Sequence, residues 1–209
     1  AKRYLWPIRL EGVDGLMCGV GAVFTRPEER GHGYAGMIID RLIEQSRGDG
    51  AMIAGLFSAI GERFYERLGF RTAPLDEVDL QVERKDGAPA MLVRSGEDRD
   101  LPALAAMHAT RSAGVRFALR RDPPLIEYAL TKKRLLAGFG QRGGSRAQRQ
   151  TEFFVAEEGA SAVAYVMLTV SPAGWTLEEA GDRDPAGARL GAILQVLLAR
   201  EPSRPAPLI

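Results

Sequence analysis

A glycine-rich loop followed by a helical pattern is the part of the sequence best suited to bind a charged ligand. The loop reads Arg-Gly-His-Gly-Tyr-Ala at positions 30–35, and apolar residues then recur at helical spacing over residues 34–47. Backbone N–H groups at a helix start meet the positive end of the helix dipole, and glycine lets a ligand approach them closely. The pattern predicts a pyrophosphate site at the start of this helix.

Three better-known phosphate motifs do not fit the loop. A Walker loop needs Gly-Lys-Ser/Thr at the helix start, and that sequence is absent. A Rossmann fingerprint needs three glycines that straddle the turn between strand and helix, whereas Gly19 and Gly21 lie within the preceding apolar run. A protein-kinase loop would require downstream catalytic motifs, and none follows.

The elements around the loop are predicted from short apolar runs and turn residues. Residues 16–25 and 51–57 are apolar runs of strand length, and residues 34–47 form the helix between them. Residues 61–68 predict a short helix, and residues 79–82 alternate polar with apolar as a half-buried strand does. The loop is therefore expected between a buried strand and a helix.

Two segments together resemble the GNAT superfamily of acetyl-CoA-dependent N-acyltransferases. Residues 23–35, Val-Phe-Thr-Arg-Pro-Glu-Glu-Arg-Gly-His-Gly-Tyr-Ala, are similar to its signature, and Arg30, Gly33 and Ala35 match the hallmark Arg/Gln-x-x-Gly-x-Gly/Ala. Residues 63–70, Arg-Phe-Tyr-Glu-Arg-Leu-Gly-Phe, are similar to its Phe-Tyr-x-x-x-Gly-Phe segment. Both occur in the family's order, and together they are far more specific than either segment alone.

The resemblance implies an α/β (α+β) fold with a mixed central sheet flanked by helices, and acetyl-CoA as cosubstrate. Loop amides would hold the pyrophosphate, the strand edge at Val23 and Phe24 would pair with the pantetheine arm between two splayed strands, and Ser58 would follow the second of them. Tyr65 would be the general acid that protonates the departing thiolate after direct attack of an amine on the thioester. The expected cofactor-binding residues are Val23, Phe24, Arg30, Gly31, His32, Gly33, Tyr34, Ala35 and Ser58.

Each of these residues also has a purely structural interpretation. Tyr65 could pack the short helix against the sheet, and Arg30 could cap the loop or form a salt bridge there. His32 is expected to be a solvated loop residue, and Cys18 an inert cysteine in a buried strand. No residue is assigned as general base, because the predicted strand before the loop carries no carboxylate.

The composition excludes several other classes of protein. The formal net charge of the 209 residues is +1, so neither nucleic acid nor an anionic membrane is expected as partner. With Cys18 as the only cysteine, and with His32 and His108 far apart, neither a disulfide nor a metal site is expected. No apolar run approaches the roughly 18 residues of a membrane span, and the default compartment is the cytoplasm.

The order of predicted elements indicates two domains. Residues 1–82 would form the acetyl-CoA-binding core, 83–90 a linker and 91–209 a second domain. The first domain lacks the strand and two helices that open a GNAT domain, so we expect N-terminal elements to be missing. The second half supplies that order: strand, two helices, hairpin, strand, helix.

The second domain is expected to be a degenerate GNAT-like domain that does not bind CoA. Its corresponding loop departs from the hallmark, and Asp182 and Asp184 would repel a pyrophosphate. We expect it to serve packing, substrate shaping or dimerisation, so a homo-oligomer is one possibility. Tandem domains of this kind resemble proteins of the enhanced intracellular survival type, which acetylate amines on aminoglycosides or proteins.

The sequence thus predicts an acyl-CoA-dependent N-acetyltransferase that acts on a primary amine of a small molecule or protein. The alternative is a non-catalytic CoA-binding sensor or scaffold module, favoured by the unassigned base. A nucleic-acid-binding protein is disfavoured by the near-neutral charge, and only the basic segment 142–149 would support it.

Overall fold

A computed structural model describes residues 1–58, 61–73, 87, 89–139, 150–171 and 174–200. The chain divides into two compact units, a first unit of Ala1–Asp76 with Gly114–Arg120 and a second unit of Glu77–Ala113 with Arg121–Ile209. The strands are β1 (Lys2–Leu10), β2 (Val13–Gly21), β3 (Ala51–Gly55), β4 (Leu92–Ser95), β5 (Phe117–Leu119), β6 (Gln150–Glu158), β7 (Ser161–Ser171) and β8 (Gly174–Asp182). The helices are α1 (Tyr34–Gly48), α2 (Arg63–Glu66), α3 (Leu101–Ser112), α4 (Pro123–Phe139) and α5 (Leu190–Ala199).

The first unit contains a mixed four-stranded sheet in the order β3-β2-β1-β5. Strands β1 and β2 form an antiparallel hairpin, and its two-residue turn, Glu11-Gly12, has positive φ angles of 49° and 81°. Such angles match the twist of a two-residue hairpin turn. Strand β3 then pairs parallel to β2, and β5 pairs antiparallel to β1. The expected mixed sheet flanked by helices is confirmed.

Helix α1 covers one face of this sheet. Cys18 and Val20 are two positions apart on β2, so both face the same side of the sheet, where they are buried against the fully buried Ile39 of α1. Partly buried apolar side chains of β3, α2 and the following segment complete this cluster. The buried position of Cys18 is the one expected of an inert cysteine.

The second unit is an antiparallel sheet in the order β4-β6-β7-β8 between two layers of helix. Helices α3 and α4 pack on the face that carries Phe153 and Tyr165, whereas α5 packs on the face that carries Val166 and Leu168. Within the first of these layers the Tyr165 hydroxyl donates to Glu179. Burial, followed by the nearby Glu179 carboxylate, raises the pKa of Tyr165 well above that of an ordinary phenol.

Several predicted boundaries shift in the structure. The helix predicted over residues 34–47 is α1, and the short helix predicted over 61–68 contracts to α2. The predicted strand 16–25 was wrong at its end, because β2 stops at Gly21 and Ala22 adopts a φ of 50° that leaves the strand region. The predicted strand 79–82 lies outside the described residues.

One short element of the second half of the chain belongs to the first unit. Strand β5 hydrogen-bonds along β1, with Ile8 opposite Leu119. The linker predicted at 83–90 lies largely outside the described residues, and the predicted domain limits stay a prediction. No helix in the described part of the chain is long and apolar enough to cross a membrane.

Candidate active site at a fork between two parallel strands

The two parallel strands of the first unit separate part-way along their length. Their pairing runs from Leu16 opposite Ala51 to Gly19 opposite Gly55, where β3 ends. Strand β2 continues to Gly21, whereas residues 56–58 are not in a strand. Within the described residues, the side of β2 that faced β3 therefore has no strand partner beyond Gly19, and its backbone groups are free to pair with an extended ligand. We call this opening the fork.

The chain leaves β2 through an irregular segment that carries two of the expected site residues. Val23 is half-buried and packs on the core of the first unit, whereas Phe24 is 73% exposed. Both were expected on a strand edge, but they follow the turn at Ala22. Any pairing of a ligand with regular strand backbone would therefore involve Val20 and Gly21 in addition to this segment.

The loop before α1 is shaped by a short turn, by the Arg30 side chain and by two glycines in a left-handed conformation. A single 3-10 turn spans Pro27–Glu29, and the Arg30 side chain donates from Nε to the carbonyl of Thr25 at 3.3 Å. Gly31 and Gly33 have φ angles of 87° and 80°, a left-handed conformation that glycine adopts without strain. Arg30 thus braces the loop, which agrees with the structural interpretation of its side chain.

The N-cap residue of α1 is Gly33. Because glycine has no side chain, the N-cap position provides no side-chain acceptor to the first N–H groups of the helix. A Cβ placed on Gly31 or on Gly33 would meet no atom of the described residues within 4 Å, so among these residues none fills the space next to the loop. The first N–H groups of a helix have no partner within the helix, so here they point into space that an anion can occupy.

The other expected site residues of the loop, His32, Tyr34 and Ala35, lie next to Gly31 and Gly33 in the chain. The rings of His32 and Tyr34 are stacked, with centroids 5.6 Å apart, and both residues are exposed. His32 Nδ1 lies 3.3 Å from the carbonyl of Glu29, which ties the ring to the preceding turn. Ala35 is half-buried in the first turn of α1.

Tyr65 is half-buried on α2, between two aromatic neighbours. Its ring contacts those of Phe64 and Phe70 edge-on, with centroid distances of 5.0 and 6.1 Å. Its carbonyl accepts the N–H groups of Leu68 at 2.9 Å and of Phe70 at 3.1 Å, which closes the turn after α2. The Tyr65 ring therefore packs as the structural interpretation expects. These contacts hold the side chain through its ring and do not involve its hydroxyl group.

Ser58 follows β3 at the open end of the fork. It is exposed, and its hydroxyl donates to the carbonyl of Gly61 at 3.1 Å. That bond orients the short connection between β3 and α2. Among the described residues, no cluster of three or more His, Cys, Asp or Glu side chains is arranged to hold a metal ion.

Comparison with known families identifies this architecture. Residues 2–73 match the family model of the acetyltransferase (GNAT) domain. These residues form a GNAT domain. The match covers β1 to α2 and includes the fork, the loop and Tyr65.

Solved structures extend the similarity in fold beyond the GNAT domain. A GCN5-related N-acetyltransferase from Kribbella flavida is 18% identical with a TM-score of 0.62, over 99% of this chain and 48% of that one. A probable N-acyltransferase of Enterococcus faecalis is 16% identical with a TM-score of 0.58, over 96% and 48% of the two chains. The N-myristoyltransferase of Saccharomyces cerevisiae with bound myristoyl-CoA is 9% identical with a TM-score of 0.52, over 93% and 54%.

These likenesses establish the fold. The chain spans about half the length of the solved proteins it matches. A comparison with curated proteins finds no match. The tandem arrangement of the enhanced intracellular survival type remains a prediction.

In the second unit, the loop before α5 corresponds to the loop before α1, but its backbone N–H groups have acceptors within the protein. The buried Asp182 carboxylate accepts the N–H groups of Asp184 and Arg189, each at 2.9 Å, and a guanidinium N–H of Arg189 at 2.9 Å. Asp184 in turn accepts the N–H of Ala186 at 2.9 Å. Backbone donors that an anion could use are occupied by protein carboxylates, which supports the prediction that this unit holds no pyrophosphate.

Sequence reasoning missed the point at which the strands of the GNAT domain separate. From the sequence, Gly19 and Gly21 are related only to a Rossmann fingerprint. A glycine inside a strand also signals a close approach or a bend, and Gly19 pairs with a second glycine, Gly55, across the parallel strands. The same reasoning gave no role to the aromatic side chains of β1, Tyr4 and Trp6.

Proposed function

We propose that the GNAT domain transfers an acetyl group from acetyl-CoA to a primary amine. The observation that carries this proposal is the coincidence of two openings at the carboxyl end of β2. One is the fork beyond Gly19, and the other is the uncapped start of α1 at Gly33. A single elongated molecule with an anionic end and an amide-bearing arm would use both.

The donor would lie with its pyrophosphate on the loop and its pantetheine arm in the fork. Backbone N–H groups of residues 31–35 and the dipole of the 15-residue α1 favour a doubly charged pyrophosphate. The amides of the pantetheine arm would pair with the backbone of β2 and of Val23 and Phe24. The exposed Phe24 and Ser58 would flank the arm on its two sides.

Tyr65 would serve as the general acid. The amine nitrogen attacks the thioester carbonyl, a C–N bond forms, the C–S bond breaks, and the phenol proton passes to the departing thiolate. A phenol and an alkyl thiol are of similar acidity, so this transfer is close to balanced in free energy. The surplus proton of the amine leaves to solvent, because none of residues 19–25 or 55–58 is Asp, Glu or His, and the Tyr65 phenolate regains a proton from solvent.

The same lack of a base along the fork favours a second candidate function, a CoA-binding sensor or scaffold without turnover. Both functions require acetyl-CoA to bind at the loop. They differ in whether thiol is released when an amine is added. A panel of small amines and lysine-containing peptides, with thiol release as the readout, separates them: amine-dependent release supports the enzyme, and tight binding without release from any amine supports the scaffold.

Calorimetric titration of acetyl-CoA into the full chain tests the shared requirement. Gly33→Glu places a carboxylate at the proposed pyrophosphate position and should weaken binding more than about tenfold. Gly50→Glu is the matched control, since Gly50 lies at the other end of α1 with a φ of 89° and open space around it. Equal losses in both variants, or no binding by the unmodified chain, would contradict the placement of the donor.

A further inference from the structure

Neither residue at the closed end of the fork has a side chain. Cys18 and Val20 face α1, so Gly19, between them on β2, faces the opposite side of the sheet. Gly55 pairs with Gly19 in the parallel register and ends β3. The space on that side of the fork is therefore set by side chains from neighbouring positions.

Two side chains from a pair of opposed positions on β1 and β2, Trp6 and Met17, extend over these glycines. Trp6 lies opposite Met17 in the register, but its ring atoms reach to 2.6 Å from where a Cβ on Gly19 would stand. Met17 likewise places its terminal methyl group 2.9 Å from a Cβ built on Gly55. Both side chains lean diagonally along the sheet toward the fork, a reach that long side chains have in paired strands.

A second ring stacks on the first and extends the same surface. The rings of Tyr4 and Trp6 are stacked with centroids 5.2 Å apart and an interplanar angle of 18°. Tyr4 lies opposite Gly19 and reaches to 3.1 Å from a Cβ built on Gly21. The stack supports the Trp6 ring from the open side of the fork, so the ring cannot swing away without separating from Tyr4.

We propose that Trp6, together with Met17, forms the floor of the acyl end of the donor site and restricts the donor to short acyl groups. This inference rests on the proposed function, in which the pantetheine arm enters from the loop with its thioester toward Gly19 and Gly55. An acyl chain longer than a few carbons would have to continue past these glycines, where the Trp6 ring and the Met17 methyl group already fill the space. Trp6 is then a specificity-determining residue and takes no part in the chemistry.

A purely structural role for Trp6 makes a different prediction. Aromatic rings packed over glycines also stabilise sheets, because they cover backbone that would otherwise be exposed. If that were the whole role, truncating Trp6 would lower the stability and leave the preference among acyl groups unchanged. The readout that separates the two roles is the ratio of affinities for long and short acyl-CoA molecules.

The experiment compares binding of CoA, acetyl-CoA, butyryl-CoA and octanoyl-CoA by calorimetry. The unmodified chain should bind acetyl-CoA at least about tenfold more tightly than octanoyl-CoA. Trp6→Ala should reduce that ratio to about threefold or less, and Met17→Ala should reduce it to a smaller extent. Leu10→Ala is the control, since Leu10 is on the same face of β1 but opposite Val13 at the far end of the hairpin. It should leave the ratio unchanged.

Folded protein is verified for each variant by circular dichroism, and Trp6→Leu replaces Trp6→Ala if the alanine variant does not fold. Octanoyl-CoA binding as tight as acetyl-CoA binding in the unmodified chain would overturn the inference. So would an unchanged ratio in folded Trp6 variants. In both cases acetyl-CoA still binds and the proposed function stands, whereas failure of the unmodified chain to bind any of the four molecules would refute the proposed function itself.

Discussion

Gly19 and Gly55 face each other at the last paired position of the two parallel strands, and the strands separate immediately beyond them. A side chain on Gly19 would collide with the Trp6 ring, so the Trp6 ring occupies the space that a side chain at position 19 would fill. Among the residues that the structure describes, no strand pairs with that side of β2 beyond Gly19. Residues 19–35 therefore connect the fork, which forms where β3 ends at Gly55, to the start of α1, where the pyrophosphate is proposed to bind.

Adding one methyl group at Gly19 should destabilise the protein. In Gly19→Ala the new Cβ would lie 2.6 Å from the Trp6 ring, and overpacking of this kind costs about 1–3 kcal/mol of the free energy of unfolding. Denaturant unfolding measures it, and Gly48→Ala, in the last turn of α1 with no atom within 4 Å, is the control. The double variant Gly19→Ala with Trp6→Ala should cost less than the sum of the single changes. Strict additivity would show that the two residues do not interact.

Removing the Tyr65 hydroxyl should abolish most of the proposed turnover without unfolding the protein. Tyr65→Phe keeps the edge contacts to Phe64 and Phe70, so stability and acetyl-CoA affinity should change little. Amine-dependent thiol release should fall about 100-fold or more, the usual contribution of a positioned acid. Tyr128→Phe, on the exposed surface of α4, is the control. Full turnover by Tyr65→Phe near neutral pH would exclude the tyrosine as acid.

The loop and α1 could be predicted because their determinants are local. Helical periodicity is contained within residues 34–47, and the glycines at 31 and 33 are where left-handed angles are needed. Tyr65 could be placed on a short helix for the same reason. Its neighbours Phe64 and Phe70 are within five positions of it, so even its packing follows from nearby sequence.

The end of β2 and the partner of β1 could not be predicted, because neither has a local signal. Val23 and Phe24 have strong strand propensity, yet Ala22 turns the chain with a φ of 50°. An alanine in the sequence gives no signal of such a left-handed conformation. Strand β5 is three residues long, and it joins β1 from more than a hundred positions away in the sequence. The burial of Asp182 was missed for a similar reason: its charge predicted repulsion of a ligand, whereas Arg189 and two backbone amides make it an internal anion.

Asp182 should matter more for the stability of the second unit than its neighbour Asp184. Asp182→Ala would leave the N–H groups of Asp184 and Arg189 without their acceptor in a buried site, at a cost of about 1–3 kcal/mol in the free energy of unfolding. Asp184→Ala removes one solvent-exposed hydrogen bond, which the Asp184 carboxylate accepts from the N–H of Ala186, and should cost less than about 1 kcal/mol. Urea unfolding of the two variants decides the order. Equal costs would mean that the buried carboxylate does not hold the loop before α5.

Stability should fall at acid pH through Asp100, which ties the start of α3 to β4. Its carboxylate accepts two hydrogen bonds from the Arg94 guanidinium, at 2.7 and 2.8 Å, and the N–H of Glu97 at 2.8 Å. The bond from Arg94, followed by that from the backbone, holds the pKa of Asp100 below its ordinary 3.8 against an opposing effect of burial. Because the pKa is lower in the folded state, this contribution is fully present above about pH 4–5 and is lost as the pH falls through the folded value. Asp100→Asn should lower the stability at neutral pH by about 1–3 kcal/mol and flatten its decline below pH 4. Asp98→Asn, which changes an exposed acid in the same turn, is the control and should retain that decline. Denaturant unfolding at pH 3 to 7 measures the free energy of unfolding of both variants. If that free energy declines equally steeply with falling pH in both, Asp100 is not the source of the decline.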